Sequence, residues 1–184
     1  MFLFFLLSAV LFQTGAQTLA QPPIIDNDRV AVSHSSGPLP AQLLDAVVIS
    51  GTGSATFLPK GTPLNHSGSS MVILLKGQPV PPIENKTGYP LAFPRAGSKK
   101  ILENAAVIVW EYTWDRDVAT PMHFHDKDVV VVYFENGDLK STTSDGKATV
   151  NSYKGGDIKF NRGDRTHTET LIRGKQRAII VELK

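Results

Sequence analysis

Cysteine is absent from this chain of 184 residues. Its absence excludes disulfide bonds, cysteine-ligated metal clusters and a cysteine nucleophile, so the fold has to be held by its hydrophobic core. An excess of one charge is also lacking, because 19 basic and 17 acidic residues leave a formal net charge of +2. The longest basic run is Lys99-Lys100, and basic residues do not alternate with aromatic ones anywhere in the sequence. Nucleic-acid binding is therefore not predicted. The length suits one domain or two small modules that share a core.

Long apolar runs are confined to the N-terminus. Residues 2–12 are apolar apart from one serine, and no charged side chain precedes Asp26. A run of this length is shorter than the ~20 residues of a membrane-spanning helix, so the chain is not predicted to span a membrane. It fits the apolar part of a signal peptide, and Ala16 and Ala20 are suitable cleavage positions. We predict a signal peptide over residues 1–20 and an exported protein, periplasmic or secreted. The usual basic residue before the run is missing, and the alternative is a buried N-terminal strand.

A helical period is lacking in every window of ten or more residues. Short β-branched runs separated by turn residues instead predict an all-β sandwich or barrel. Asn136-Gly137 and Asp145-Gly146 suit the positive-φ positions of hairpin turns. The predicted strands are residues 29–33, 46–50, 55–58, 71–75, 105–113, 129–134, 139–143, 157–160 and 177–182.

Residues 77–94 contain five prolines. Because proline lacks the amide donor of a β-ladder, this stretch is interpreted as a connection and not as a central strand. It divides the mature chain into an N-terminal β segment, residues 21–94, and a C-terminal domain, residues 95–184. Four blocks recur in the same order in both parts: 24–32 with 101–109, 45–49 with 128–132, 58–61 with 160–163, and 70–76 with 177–184. The order favours a degenerate duplication over coincidence, with the middle of the first copy lost.

Three histidines of the C-terminal part are the candidate metal ligands. In Pro121-Met-His123-Phe-His125 the two imidazoles stand at i and i+2, which places them on one face of a strand, ~6.5–7 Å apart. Two imidazoles so placed can bind one metal ion. A longer pattern follows, in which a Gly-Asp turn, a strand and a second glycine turn lead to His167.

Together these segments resemble the two signature motifs of the cupin superfamily. Gly137 takes the place of the glycine that closes the first motif, and Gly155, Gly163 and His167 match the second. The resemblance spans 45 residues, from 123 to 167. It implies a cupin-type β-barrel, also called a double-stranded β-helix or jelly roll, with a degenerate cupin-like N-terminal half. It also implies homodimer formation and a metal site whose ligands are His123, His125 and His167.

The chain departs from the family pattern at three places. Asn161 replaces the motif proline, and Thr166 stands where the last histidine is usual. The motif glutamate is missing, because Val129 and Val130 occupy its two positions. Three neutral imidazoles leave a divalent ion its full charge, so such a site should bind metal less tightly and favour an anionic or chelating ligand. Three-histidine cupins resembling this arrangement include iron(II) dioxygenases that act on thiols or diketones.

Other polar residues are candidates for a part in the site. Asp126 and Asp128 lie where a displaced carboxylate could reach the metal. Glu169 shares strand parity with His167 and is a candidate fourth ligand, hydrogen-bonding partner or general base. Arg162 and Arg165 either meet an anionic ligand or are exposed solubilising charges.

The remaining aromatic and histidine residues have simpler interpretations. Trp110, Tyr112 and Trp114 alternate along one strand and form either a ligand mouth or part of the core. His34 and His66 have no histidine partner at strand spacing and are interpreted as surface residues.

Two functions follow from these patterns. The first is an exported cupin-domain metalloenzyme, a dioxygenase or isomerase, that binds Fe, Mn, Ni or Zn through three histidines together with a small organic ligand. Glu169 and Tyr112 are then the candidate proton carriers. The alternative is a non-catalytic barrel that binds a sugar or a small anion.

Overall fold

A computed structural model describes residues 22–184 of the chain. The predicted signal peptide lies outside these residues. The described part contains fourteen β-strands and no α-helix. They are β1 (Ile25–Asp26), β2 (Val30–Ser35), β3 (Ala46–Ser50), β4 (Ala55–Leu58), β5 (Ser70–Leu75), β6 (Lys99–Glu103), β7 (Val107–Trp114), β8 (His123–His125), β9 (Val129–Tyr133), β10 (Gly137–Thr143), β11 (Ala148–Tyr153), β12 (Ile158–Asn161), β13 (Arg165–Gly174) and β14 (Gln176–Leu183). Over residues 22–184, no helix is long and apolar enough to cross a membrane.

The strands form three antiparallel sheets. The N-terminal sheet has the order β1-β2-β5-β3-β4, and the middle sheet has the order β12-β9-β14-β7-β6. The histidine sheet, with the order β11-β10-β13-β8, faces the middle sheet across an apolar interior. The middle and histidine sheets together enclose the barrel.

The middle sheet is buried on both faces. Because successive side chains of a strand point to opposite faces, β9 presents Val130 and Val132 to the N-terminal sheet, and Val129 and Val131 to the barrel interior. All five residues of β9 are buried. A continuous apolar run is typical of a strand covered on both sides. The run of four valines in β9 is therefore explained by apolar packing on both faces of the middle sheet.

The strand order of the N-terminal sheet recurs in the middle sheet. Reading from β1, the order β1-β2-β5-β3-β4 corresponds to β6-β7-β14-β9-β12, and each recurring sequence block falls on the corresponding pair of strands. The two sheets pack through equivalent faces. In the shared core, Val30, Val47 and Ile73 of the first sheet have Val107, Val130 and Val181 as counterparts in the second.

Single hydrogen bonds also recur at equivalent positions. Asn27 Oδ1 accepts the backbone N–H groups two and three residues later at 2.8 and 2.9 Å, and Asn104 Oδ1 does the same at 2.8 and 2.9 Å. The carbonyl oxygens of Asp45 and Asp128 each accept a backbone N–H of the last strand of their copy at 2.9 Å. The duplication that would account for this correspondence stays a prediction. In the described residues, the N-terminal segment has no counterpart of the histidine sheet.

All nine predicted strands are present, but five of the fourteen observed strands, β1, β6, β8, β11 and β13, were not in the predicted set. The polar strands β6, β11 and β13 lack the β-branched runs on which the strand predictions were based. The ten-residue strand β13 is the longest, and its alternation carries His167, Glu169 and Leu171 into the barrel. The end of the proline-rich stretch also belongs to the barrel, since Ala92 and Phe93 are buried in its interior.

Ile179 tests the packing between the two related sheets. It is fully buried in their shared core, so Ile179→Ala should destabilise the protein by about 2–5 kcal/mol through lost burial and a cavity. Urea unfolding measures the change. Ile172→Ala, at a position that is 36% exposed, is the control. A loss below about 1 kcal/mol for Ile179→Ala would show that the sheets do not share a tight core.

Candidate functional site

The three predicted ligand residues meet inside the barrel. His123 and His125 lie on β8, and β8 pairs with β13 so that His167 stands directly opposite His123. The ring centroids are 4.8 to 5.1 Å apart in all three pairs. One ring nitrogen from each residue lies within 4.8 Å of the other two, and all three side chains are buried. The structure thus brings together residues that are 42 positions apart in the sequence.

Two motif segments are held together beside the histidines. The backbone N–H of Gly163 donates to Asp128 Oδ1 at 2.8 Å, which joins the loop after β8 to the turn before β13. A Cβ atom on Gly163 would lie 2.8 Å from Ile83 Cδ1 and 3.2 Å from the carbonyl carbon of Lys127. A larger residue would push the turn away from the loop. The close approach of the two segments therefore favours glycine at this motif position.

The displaced-carboxylate prediction is wrong for both aspartates. Asp128 Oδ2 pairs with Arg29 at 3.4 Å and with Arg162 at 3.1 Å. Asp126 pairs with Lys127 at 2.6 Å. Neither carboxylate belongs to the histidine group. Both are held by cations away from it, and Arg162 is occupied by Asp28 as well.

Hydrogen bonds at Nδ1 fix the orientation of two of the three rings, those of His123 and His167. His123 Nδ1 lies 2.8 Å from the carbonyl oxygen of Pro121, so Nδ1–H donates and Nε2 carries the free electron pair. His167 Nδ1 lies 3.1 Å from Ser141 Oγ. In metalloproteins such partners orient the imidazole and set which nitrogen binds the ion. Ser141 was not found by sequence reasoning, because a serine on a strand carries no distinctive signal.

Burial keeps the three rings neutral. It lowers the pKa of His123 to about 4, with the nearby Arg95 charge as the second cause. It also lowers the pKa of His167 to about 4, assisted by the charges of Arg165 and Arg95. The pKa of His125 is lowered by burial and then by Arg165. A neutral imidazole is the form that binds a metal ion.

The geometry of the group fits a transition-metal ion. His125 Nε2 and His167 Nε2 are 3.1 Å apart. Two nitrogens that bind one ion at about 2.0–2.1 Å are about 2.9–3.4 Å apart at octahedral or tetrahedral angles. His125 Nδ1 is buried without a hydrogen-bond partner among the described residues. The group could therefore hold one ion, with further coordination positions left for a ligand.

A cavity of about 110 Å³ opens beside the histidines. It is smaller than the usual 300–1,000 Å³ of a drug-sized site, so its ligand has to be small. Both middle-sheet and histidine-sheet side chains line it. They include the residues Arg95, Trp114, His125, Tyr133, Ser141, Asn151, Tyr153, Lys159, Asn161, Arg165, His167 and Glu169.

Arg95 is the main site residue that sequence reasoning missed. Its side chain is 8% exposed, and its Nη1 lies 3.2 Å from His123 Nε2. The guanidinium also stacks on the ring of Tyr112, 4.0 Å from the ring centroid. Burial lowers the pKa of Arg95. A single arginine after a proline-rich stretch gives no signal of this position in the sequence.

The two candidate proton carriers occupy different places. Glu169 lines the cavity, where its Oε2 accepts Trp114 Nε1–H at 3.2 Å and lies 3.8 Å from Arg95 Nη2. It is not part of the group of three ligands, so its position favours a hydrogen-bonding role over a fourth ligand. Tyr112 belongs to the barrel core together with Trp110 and Trp114, and Arg95 separates it from the cavity.

Comparisons with known proteins bear on the fold. No protein-family model matches the chain, and no curated protein sequence matches it significantly. Among solved structures, an IolB-like protein from Salmonella typhimurium is 11% identical over 85% of this chain and 84% of its own, with a TM-score of 0.57. An oxalate decarboxylase is 11% identical over 85% and 69%, with a TM-score of 0.50. A cupin domain from Bordetella pertussis is 21% identical over 53% and 98%, with a TM-score of 0.44.

The sheet arrangement and the likeness to the IolB-like protein and the oxalate decarboxylase show that the described residues have a cupin-type fold. The predicted cupin-type β-barrel is confirmed. At these identities the likeness concerns the fold alone. Within this fold, the three buried histidines could hold a metal ion, and the oxalate decarboxylase is an enzyme with a similar fold.

The neutral rings predict a loss of stability on acidification of metal-free protein. The unfolded chain binds protons to histidine near pH 6.5, whereas folded His167 does so only near 4, so stability falls as pH falls through this window. From pH 7.5 to pH 5.0, His167 should account for about 2 kcal/mol of the loss.

Urea unfolding at the two pH values measures this effect. His167→Gln, which can still bond to Ser141, should lose about 2 kcal/mol less than the wild type. His34→Gln replaces an exposed histidine on β2 and should behave as the wild type. Equal losses in all three proteins would contradict the assignment of a neutral, buried His167.

Proposed function

We propose that this protein binds one divalent transition-metal ion, Fe, Mn, Ni or Zn, through His123, His125 and His167, together with a small organic ligand. The observation that carries the proposal is the 3.1 Å separation of two Nε2 atoms in a buried group of three neutral imidazoles. The burial of three rings costs solvation, and His125 Nδ1 has no hydrogen-bond partner among the described residues to offset it.

The proposed activity is that of a metal-dependent oxidoreductase of the dioxygenase type, or of an isomerase. A bound ion of this kind supplies Lewis-acid or redox chemistry at its open positions. The residues of the chain would surround the ligand in a small cavity, and Glu169, which lines it, is the proposed group that accepts or returns a proton there. Tyr112 is a weaker candidate, because Arg95 stacks on it.

One observation favours the alternative, a non-catalytic barrel that binds a sugar or an anion. The Arg95 guanidinium lies 3.2 Å from the free electron pair of His123, where its positive charge opposes a metal ion. The adjacent Glu169 compensates this charge in part. Metal content therefore decides between the two functions.

The metal site is tested by metal analysis and by Co²⁺ titration. Purified wild-type protein should hold about one ion per chain, and Co²⁺ should give the visible absorption of a nitrogen-ligated ion. His125→Ala should abolish stoichiometric binding, because it removes one of three ligands. His34→Ala, at an exposed position outside the barrel, should keep it.

Folding of each variant is followed by circular dichroism, so that lost binding is not confused with lost structure. Wild-type protein that stays metal-free after incubation with Fe²⁺, Mn²⁺, Ni²⁺ and Zn²⁺, and whose melting temperature is indifferent to chelator, would reject the metal site. The non-catalytic barrel would then be the better description.

Export is part of the proposal. Expression of the full chain in a secreting host should give a mature protein that begins at Gln17 or Gln21, after cleavage of the signal peptide. N-terminal sequencing of the product outside the cytoplasm measures this. An intact N-terminus in the cytoplasmic fraction would contradict export. The homodimer implied by the cupin resemblance stays a prediction.

A further inference from the structure

We propose that the cavity selects a small organic acid, with Arg165 binding its carboxylate and Lys159 adding a second positive charge. This inference rests on the proposed function, in which the metal ion binds the other end of the ligand. It is based on the positions of the basic side chains around the cavity and on which of them have an acidic partner.

Arg165 occupies the first inward-facing position of β13. It shares strand parity with His167 and Glu169, and it stands opposite His125 in the register of β8 and β13. All four residues line the cavity or the histidine group beside it. The guanidinium is therefore on the same side of the histidine sheet as the imidazoles.

The donors of Arg165 remain largely unused. Its Nε donates to the backbone oxygen of Arg162 at 2.6 Å. Within residues 22–184, no carboxylate lies within salt-bridge distance of its guanidinium, whereas Arg95 pairs with Glu169 and Arg162 pairs with Asp28 and Asp128. A half-buried guanidinium with two free Nη groups is suited to bidentate binding of a carboxylate.

Lys159 adds charge from the facing wall. It lies on β12, where Ile158 and Phe160 face the N-terminal sheet, so the alternation turns Lys159 and Asn161 to the cavity. Its Nζ lies 5.5 Å from the centroid of the Tyr153 ring. Among the described residues, it too has no carboxylate within salt-bridge distance.

The charge balance of the lining favours an anion. Three basic side chains, Arg95, Lys159 and Arg165, face one acidic side chain, Glu169. A divalent ion on three neutral imidazoles would add two further positive charges without a protein carboxylate to offset them. A ligand that carries negative charge relieves this repulsion, whereas a neutral sugar would not. The small cavity volume limits the ligand to a short acid.

The test compares malonate with its neutral amide, malonamide, by isothermal titration calorimetry. Both metal-free and Zn²⁺-loaded full-length protein are used, with unbound metal removed. Wild-type protein should bind malonate and should bind malonamide at least 10-fold more weakly. Arg165→Gln should weaken malonate binding by about 10- to 100-fold, the usual size of a lost charged hydrogen-bond pair.

Two control variants make the test specific. Arg173→Gln removes an exposed arginine from the same strand and should leave malonate binding unchanged. Arg165→Lys keeps the charge without the planar fork and should retain part of the affinity. Zn²⁺ should bind Arg165→Gln as tightly as the wild type or more tightly, because a nearby positive charge is removed.

The outcomes separate this inference from the metal site. Malonate affinity that Arg165→Gln leaves unchanged, or equal binding of malonamide and malonate, overturns the acid preference while the metal site stands. Parallel loss of Zn²⁺ and malonate binding in Arg165→Gln assigns the residue a structural part and overturns it as well. If wild-type protein binds no Zn²⁺ but binds malonate through Arg165, the metal proposal fails and the acid-binding inference stands.

Discussion

The burial of the middle sheet on both faces is the constraint on which the rest of the structure depends. Each of its central strands packs against the N-terminal sheet with one face and against the barrel interior with the other, because odd and even positions point to opposite sides. Val130 and Val132 contact the N-terminal sheet, while Val129 and Val131 contact the barrel interior. A register shift of one residue would exchange the two sets. The apolar contact with the N-terminal sheet therefore also fixes which side chains reach the cavity.

In the site, the free-energy cost of burying polar groups is offset in part by the hydrogen bonds and ion pairs between them. Three neutral imidazoles and the ion pair of Arg95 with Glu169 share one end of the barrel with further polar side chains, among them Ser141 and Arg165. Hydrogen bonds with the Pro121 carbonyl and the Ser141 hydroxyl offset the lost solvation of the His123 and His167 rings. His125 Nδ1 and Arg95 Nε have no hydrogen-bond partner among the described residues. Buried unpaired polar atoms are rare in folded proteins and often mark functional sites. The absent motif glutamate fits the same picture, since an acidic ligand would supply the negative charge that the chain does not.

The sequence alone predicted those site residues that alternate along a strand or follow a glycine turn. His123 and His125 share a face by strand parity, and the motif around Gly163 led to His167, which lies with them although it stands one residue later than in the family pattern. Arg95, Ser141 and Lys159 could not be found in this way, because their placement depends on which strands pair. The polar strand β13 shows the same limit, since its hydrogen bonds to β8 and β10 stabilise it without an apolar run. The prediction for Asp126 and Asp128 failed because proximity in sequence to the motif does not determine which cation a carboxylate meets.

The two sheets of equivalent strand order differ in that the middle sheet borders the cavity and the N-terminal sheet does not. Val129, Val131 and Ile180 of the middle sheet line the cavity, and their counterparts in the N-terminal sheet are Ala46, Val48 and Val72. Both surfaces are formed by aliphatic side chains, so they do not by themselves make a site. In the N-terminal sheet they pack directly against Leu39, Leu58 and Leu64. In the barrel a second sheet stands across from them and carries the histidines, Ser141, Arg165 and Glu169. The chemistry therefore resides in the histidine sheet, while the repeated five-stranded sheet supplies its apolar floor and the surface through which the two halves of the chain pack.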